Sequence, residues 1–174
     1  MISPRNLLLP IALFSFPAMA LTVSDTFTVS ADIEKGCAFG SNINAGQSDM
    51  GTIDFGTQSA SSVNTDVAST VGGGSVVVTC TPGITVSIAL DYGLHGGSSS
   101  QRYLMSTSGS RLLPYQLYRD SARTLVWGTG ELAMSIGAFP ATTQTYTVYA
   151  RYFGASPLPP AGEYTDSVTV SLTY

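Results

Sequence analysis

The only histidine, His95, lies in the loop Gly93-Leu94-His95-Gly96-Gly97, and it is the natural candidate for proton transfer. Nucleophilic hydrolysis of the Ser-His-Asp kind would need a serine and a carboxylate beside it. No Gly-x-Ser-x-Gly elbow accompanies it, so a loop histidine with no catalytic role is expected. Among the acids, Asp49/Asp54 and Glu163/Asp166 are the closest pairs. A glycosidase needs two carboxylates facing each other across a cleft. In a β protein their spacing along the chain does not place them so, and solvated acids are the plainer reading. Asp49, Asp54 and Asp91 supply oxygen for calcium but form no Asp-x-Asp-x-Asp loop. One His and two Cys are too few for a zinc site. Gly128-Thr129-Gly130-Glu131-Leu132-Ala133 has the outline of a dinucleotide fingerprint, which works only between a strand and a helix. Here it falls in a β run and reads as a turn. No catalytic residue, metal or cofactor is expected.

The elements around these residues point to an exported binding or structural protein. Arg5, the apolar stretch Leu7–Phe16 and the small-x-small site Ala18-Met19-Ala20 make residues 1–20 a secretory signal. Cleavage after Ala20 leaves about 154 residues, enough for one domain with its own core. No later stretch is long and apolar enough to span a bilayer, so release without stable membrane insertion is expected. Only 10% of residues are charged, and Lys35 is the single lysine. Without Arg5 the net charge is about −5 and there is no basic run, which disfavours nucleic acid as a partner. Cys37 and Cys80 in an oxidising compartment most simply form one disulfide. It would close a loop of about 43 residues, worth about 4 kcal/mol in the chain-entropy model.

The mature chain reads as β throughout. Candidate strands are Val23–Ile33, Gly51–Phe55, Ser75–Cys80, Thr85–Tyr92, Arg102–Ser106, Tyr115–Tyr118, Thr124–Trp127, Leu132–Phe139, Thr145–Phe153 and Glu163–Tyr174. Gly, Ser and Pro clusters separate them, the signature of a sandwich or barrel. Asp120-Ser121-Ala122-Arg123 is the expected tip of a hairpin. Trp127, the only tryptophan, is expected in the core beside it.

Two alternating segments stand out. In the last, Tyr164, Val168, Val170, Leu172 and Tyr174 share one parity, with Ser and Thr on the other. Near the start, Val23, Phe27, Val29 and Ala31 share a parity against Thr22, Ser24, Thr26, Thr28 and Ser30. A two-residue period means a half-buried strand. It leaves open whether the first segment closes its own domain or is lent to a neighbour. Asp25 falls on the apolar parity and disturbs the first pattern.

A set of motifs joins these segments. The first strand runs into Gly36-Cys37, Val76–Cys80 reads Val-Val-Val-Thr-Cys, and Tyr115–Arg123 reads Tyr-x-Leu-Tyr-Arg-Asp-x-Ala-Arg. Gly162–Val170 reads Gly-Glu-Tyr-Thr-Asp-Ser-Val-Thr-Val. The combination resembles the spore coat protein U domain family, whose members are subunits of archaic, Csu-type chaperone–usher pili. The resemblance implies an all-β, incomplete immunoglobulin-like sandwich completed by donor-strand exchange. It implies residues 21–32 as the N-terminal donor strand and 33–174 as the pilin domain. Val23, Phe27, Val29 and Ala31 would then be the donor residues. Val168, Val170, Leu172 and Tyr174 would border the acceptor groove and meet the chaperone, and Cys37 and Cys80 match the family disulfide. The implied partners are a periplasmic pilus chaperone, an outer-membrane usher and neighbouring subunits. The implied destination is a cell-surface fibre for attachment and biofilm formation. With one domain and its own donor segment, a shaft or minor adaptor subunit is expected.

Two other functions fit the bare residues. One is a secreted, self-complete lectin-like sandwich, with Tyr92, Tyr103 and Tyr149 as a contact surface. The other is a spore or cyst coat protein assembled in a similar way.

Overall fold

The computed structural model describes residues 21–40, 50–59 and 63–174. The signal segment 1–20 and Asp49 lie outside the described residues. The chain divides into two units, Met1–Ile33 and Glu34–Tyr174.

In the first unit, residues 21–33 carry no strand. This corrects the expected strand Val23–Ile33. Alternation sets which side chains share a face, but strand structure also needs a ladder partner for its backbone groups. Leu21, Val23, Phe27, Val29 and Ile33 are between 81% and 92% exposed, and Ala31 is exposed too. Asp25 accepts a hydrogen bond from the Thr26 N–H.

The second unit is built of β1 (Cys37–Phe39), β2 (Thr65–Ala68), β3 (Val76–Cys80), β4 (Val86–Leu90), β5 (Arg102–Ser106), β6 (Leu112–Tyr118), β7 (Met134–Ile136), β8 (Gln144–Tyr146), β9 (Tyr149–Tyr152), β10 (Tyr164–Thr165) and β11 (Val170–Thr173). A single 3-10 turn, Gly130–Leu132, falls at the false dinucleotide fingerprint. The strands form three antiparallel sheets, ordered β1-β3-β8, β10-β5-β6-β9-β2 and β11-β4-β7. The fold is all-β. No helix among the described residues is long and apolar enough to cross a membrane.

Strands β3 and β4 show why these residues pair. Val76, Val78 and Cys80, and Val86, Ile88 and Leu90, are buried at every second position. β-branched side chains suit a pleated surface with one face covered. These residues join Tyr115, Leu117, Trp127, Phe139, Val148 and Ala150 in one core to which all three sheets contribute. Trp127 is fully buried and donates its indole N–H to the Ile88 carbonyl.

Several boundaries differ from expectation. Thr124–Trp127 makes only a bridge, Tyr118 to Val126, and Gly51–Phe55 only the bridge Gly51 to Gly73. The hairpin tip forms as expected, with the Asp120 carboxylate accepting from the Thr124 and Leu125 N–H groups. β1 and β2 were not read from the sequence, because three and four residues are too short to show a period. The run Thr145–Phe153 divides between β8, which pairs with β3, and β9, which pairs with β6 and β2. The last run divides likewise: β10 pairs with β5, and β11 with β4. In each, the chain leaves one sheet for another while its inward parity continues.

Cys37 and Cys80 face each other in the β1–β3 register and are joined by a disulfide, with Cα atoms 4.1 Å apart. Cys80 is buried in the core and Cys37 packs against it. Cys37→Ser is expected to lower stability by about 2–5 kcal/mol. Thermal melting with and without reductant measures this. A wild-type midpoint that ignores reductant would contradict it.

Candidate functional site

An open groove runs beside the C-terminal segment. It comprises two adjoining hollows of about 690 and 720 Å³, both bordered by Thr52, Ile53, Phe55, Leu104 and Asp166. Met50, Ile53 and Phe55 form one wall of the first hollow, and Val168 and Val170 the other. Its floor is the core itself, at Val76, Leu117 and Val148. The second hollow continues past Leu113, Tyr152 and Tyr164 toward the prolines Pro159 and Pro160. Among the described residues, no element covers the apolar core along this side.

The backbone beside the groove is also unpaired. β11 is the edge of its sheet. Asp91 N–H donates to the Thr169 carbonyl, and Thr169 N–H donates to the Asp91 carboxylate. From this pair the antiparallel register continues to Ser171 opposite Ala89 and Thr173 opposite Ser87. In an antiparallel ladder, bonded and non-bonded residue pairs alternate. The N–H and C=O groups of Val168, Val170 and Leu172 therefore face away from β4, along an edge with no strand among the described residues. Such an edge is a template for an added strand.

Between β10 and β11, residues 166–169 cross from one sheet to the other and are held mainly by side chains. The Asp166 carboxylate is 2% exposed. It accepts from the Leu94 N–H at 2.9 Å and the Tyr115 hydroxyl at 2.6 Å. His95 Nε2 lies 3.7 Å from it. Burial, reinforced by the bond to Asp166, pushes the Tyr115 pKa far up, so its hydroxyl remains a donor at neutral pH. Behind them the fully buried Arg102 donates to the carbonyls of Asp91 and Trp127, and to the Gln116 side chain. Burial lowers the Arg102 pKa, and the neighbouring Tyr115, Tyr92, Asp91 and Asp166 counter it. An arginine so placed stays cationic.

The sequence-predicted residues distribute as follows. Val168 and Val170 line the groove, while Leu172 packs on the core beyond it. Tyr174 is 59% exposed and lies past the end of β11. Val23, Phe27, Val29 and Ala31 are all in the exposed first unit. The sequence does not mark Met50, Ile53 and Phe55 as part of a site, and its reading of Asp166 as a solvated acid is corrected: that side chain is 2% exposed. A signal for Asp166 did exist: it is a carboxylate at an inward parity, between Tyr164 and Val168. His95 Nε2, 3.7 Å from Asp166 Oδ1, is beyond hydrogen-bond distance of it. Among the described residues no group of three or more His, Cys, Asp or Glu is placed to hold a metal.

The family model described as Spore Coat Protein U domain matches residues 23–171. Among solved structures, the chain is similar to the CsuC–CsuE chaperone–tip adhesion subunit pre-assembly complex from archaic chaperone–usher Csu pili of Acinetobacter baumannii. That likeness has 24% identity and a TM-score of 0.49, and covers 82% of this chain and 40% of that one. A chaperone–tip adhesin complex of CFA/I fimbriae is similar at 15% identity and a TM-score of 0.49, over 79% of this chain and 41% of that one. The chain thus spans about two fifths of the length of each. No curated protein matches it.

Proposed function

Because the chain belongs to the Spore Coat Protein U domain family, we propose that it is a non-enzymatic fibre subunit that polymerises by donor-strand complementation. Residues 1–20 direct export and are removed. Residues 21–32 are the donor strand, and 33–174 the acceptor sandwich, an incomplete immunoglobulin-like domain. The observation that carries this reading is the groove: a core open along an unpaired strand edge, in a chain that also has an exposed, alternating apolar segment. Val23, Phe27, Val29 and Ala31 of one copy enter the groove of the next. Each large side chain buried there contributes about 1.5–3 kcal/mol, and backbone bonds to Val168, Val170 and Leu172 set the register.

Before a neighbour arrives, the groove is an aggregation hazard. A periplasmic chaperone covers it, holding the C-terminal strand through Val168, Val170, Leu172 and Tyr174, and an outer-membrane usher exchanges chaperone for neighbour. The product is a surface fibre for attachment and biofilm formation, with this chain as a shaft or adaptor subunit.

The test is to produce the mature chain in the periplasm alone and with a pilus chaperone, and to size it by chromatography. A 1:1 complex with the chaperone, and aggregates or heat-resistant oligomers without it, is expected. A cooperatively melting monomer without chaperone would overturn the reading. Deleting Leu21–Ala31 is expected to abolish oligomers and leave the chaperone complex intact. Loss of both would show that donor and acceptor roles are not separate.

A further inference from the structure

We infer that Asp166 is a positioning residue for strand capture: its buried carboxylate latches the groove wall in place while the groove is empty. The inference rests on the strand-exchange reading above, and names a residue on which the acceptor site depends.

The need for a latch follows from the pairing. Residues 166–169 form the wall at the point where the chain changes sheets, between the last bond of β10 and the first of β11. Thr169 is tied to Asp91. Ser167 and Val168 make no hydrogen bond among the described residues, so the wall between β10 and Thr169 is anchored by the Asp166 side chain. That side chain ties together three separate pieces: the wall, the loop after β4 through Leu94, and β6 through Tyr115. Charge-assisted bonds of this kind are stronger than neutral ones.

The loop is shaped to the carboxylate. A Cβ on Gly93 would lie 1.9 Å from Asp166 Oδ2, and Gly93 has a φ of 78°, a region that favours glycine. Asp166 also lines both hollows of the groove. An apolar residue there would suit an apolar groove better; the carboxylate instead serves the Leu94 and Tyr115 bonds.

The contrast makes the test directional. If the groove were only an apolar slot, Asp166→Leu would enlarge the apolar lining and tighten strand binding. If Asp166 positions the wall, the same change weakens it. The mature full chain and its variants, purified as the 1:1 chaperone complex, are challenged with a fluorescent synthetic peptide of residues 21–33; uptake is read by anisotropy as the chaperone is displaced, and each sample is melted in parallel. Asp166→Leu is expected to weaken peptide binding on the order of tenfold or more. Asp166→Asn keeps an acceptor for Leu94 and a polar partner for Tyr115, and is expected to recover most of the affinity. Tyr115→Phe keeps the core ring but leaves the buried carboxylate one donor short, and is expected to weaken binding several-fold while lowering the melting temperature by only about a few degrees. That variant decides the matter if Asp166→Leu does not fold. Unchanged affinity in Tyr115→Phe, or equal or tighter binding by Asp166→Leu, overturns the latch. A wild-type chaperone complex that takes up no peptide overturns the strand-exchange reading itself.

Discussion

Phe27→Asp is expected to abolish chain-to-chain association and leave the folded domain intact. Phe27 is 88% exposed, so the substitution removes no packing from the subunit that carries it. The loss falls on the neighbour's groove, which is floored by Val76, Leu117 and Val148. Two effects add there. The ring's burial, about 1.5–3 kcal/mol, is forfeited. An unpaired carboxylate must also lose its water, at a cost of at least ~2 kcal/mol more. Together they weaken association by about several hundredfold or more, since ~1.4 kcal/mol is tenfold. Thr28→Asp adds the same charge on the opposite parity and is expected to assemble nearly as the wild type does. Chromatography of the two variants reads the difference. Oligomers from Phe27→Asp at wild-type yield would remove Phe27 from the donor face.

The second large effect concerns the support behind the groove. Arg102→Leu is expected to destabilise the subunit by about 3–5 kcal/mol, the range for removing one partner from a buried charged network. The guanidinium is fully buried and bonds Asp91 O at 2.6 and 2.9 Å and Trp127 O at 2.8 Å. Leucine fills part of the volume but leaves these carbonyls without donors. It also takes the positive charge from beside Asp91 and Asp166. Against a typical total of ~5–15 kcal/mol the loss is large. It corresponds to a fall in melting temperature on the order of 10 °C for a chain of this size. Arg102→Lys is expected to restore little, because an ammonium cannot reproduce the planar fork. A melting temperature within two or three degrees of wild type (roughly 1 kcal/mol or less) would show that the network contributes little.

Much of the site was legible in residue types and parity. The inward faces of β3, β4 and the C-terminal segment follow the alternation of Val, Ile and Leu. The Cys37–Cys80 pairing matched the only two cysteines in the chain. Other parts left no such trace. Phe39 and Met50 pack against the core from segments too short to show a period, and Ile53 and Phe55 from a segment that reads as a strand but forms a bridge. Arg102 looks like any surface arginine in the sequence, yet it lies at the centre of a carbonyl cluster assembled from two distant segments.

By itself, the sequence determined the all-β class, the parity of each segment and the apolar character of the two terminal ones. Those properties are local: an extended backbone turns its side chains to opposite faces wherever it lies. The tertiary structure alone decided which strands pair. It divides Thr145–Phe153 and Glu163–Tyr174 between sheets although their parity runs on unbroken. It leaves one edge of β11 unpaired beside an open core, and it turns the inward Asp166 into a tie between distant segments. Pairing depends on hydrogen bonds between residues far apart in the chain, and periodicity, being local, does not encode them.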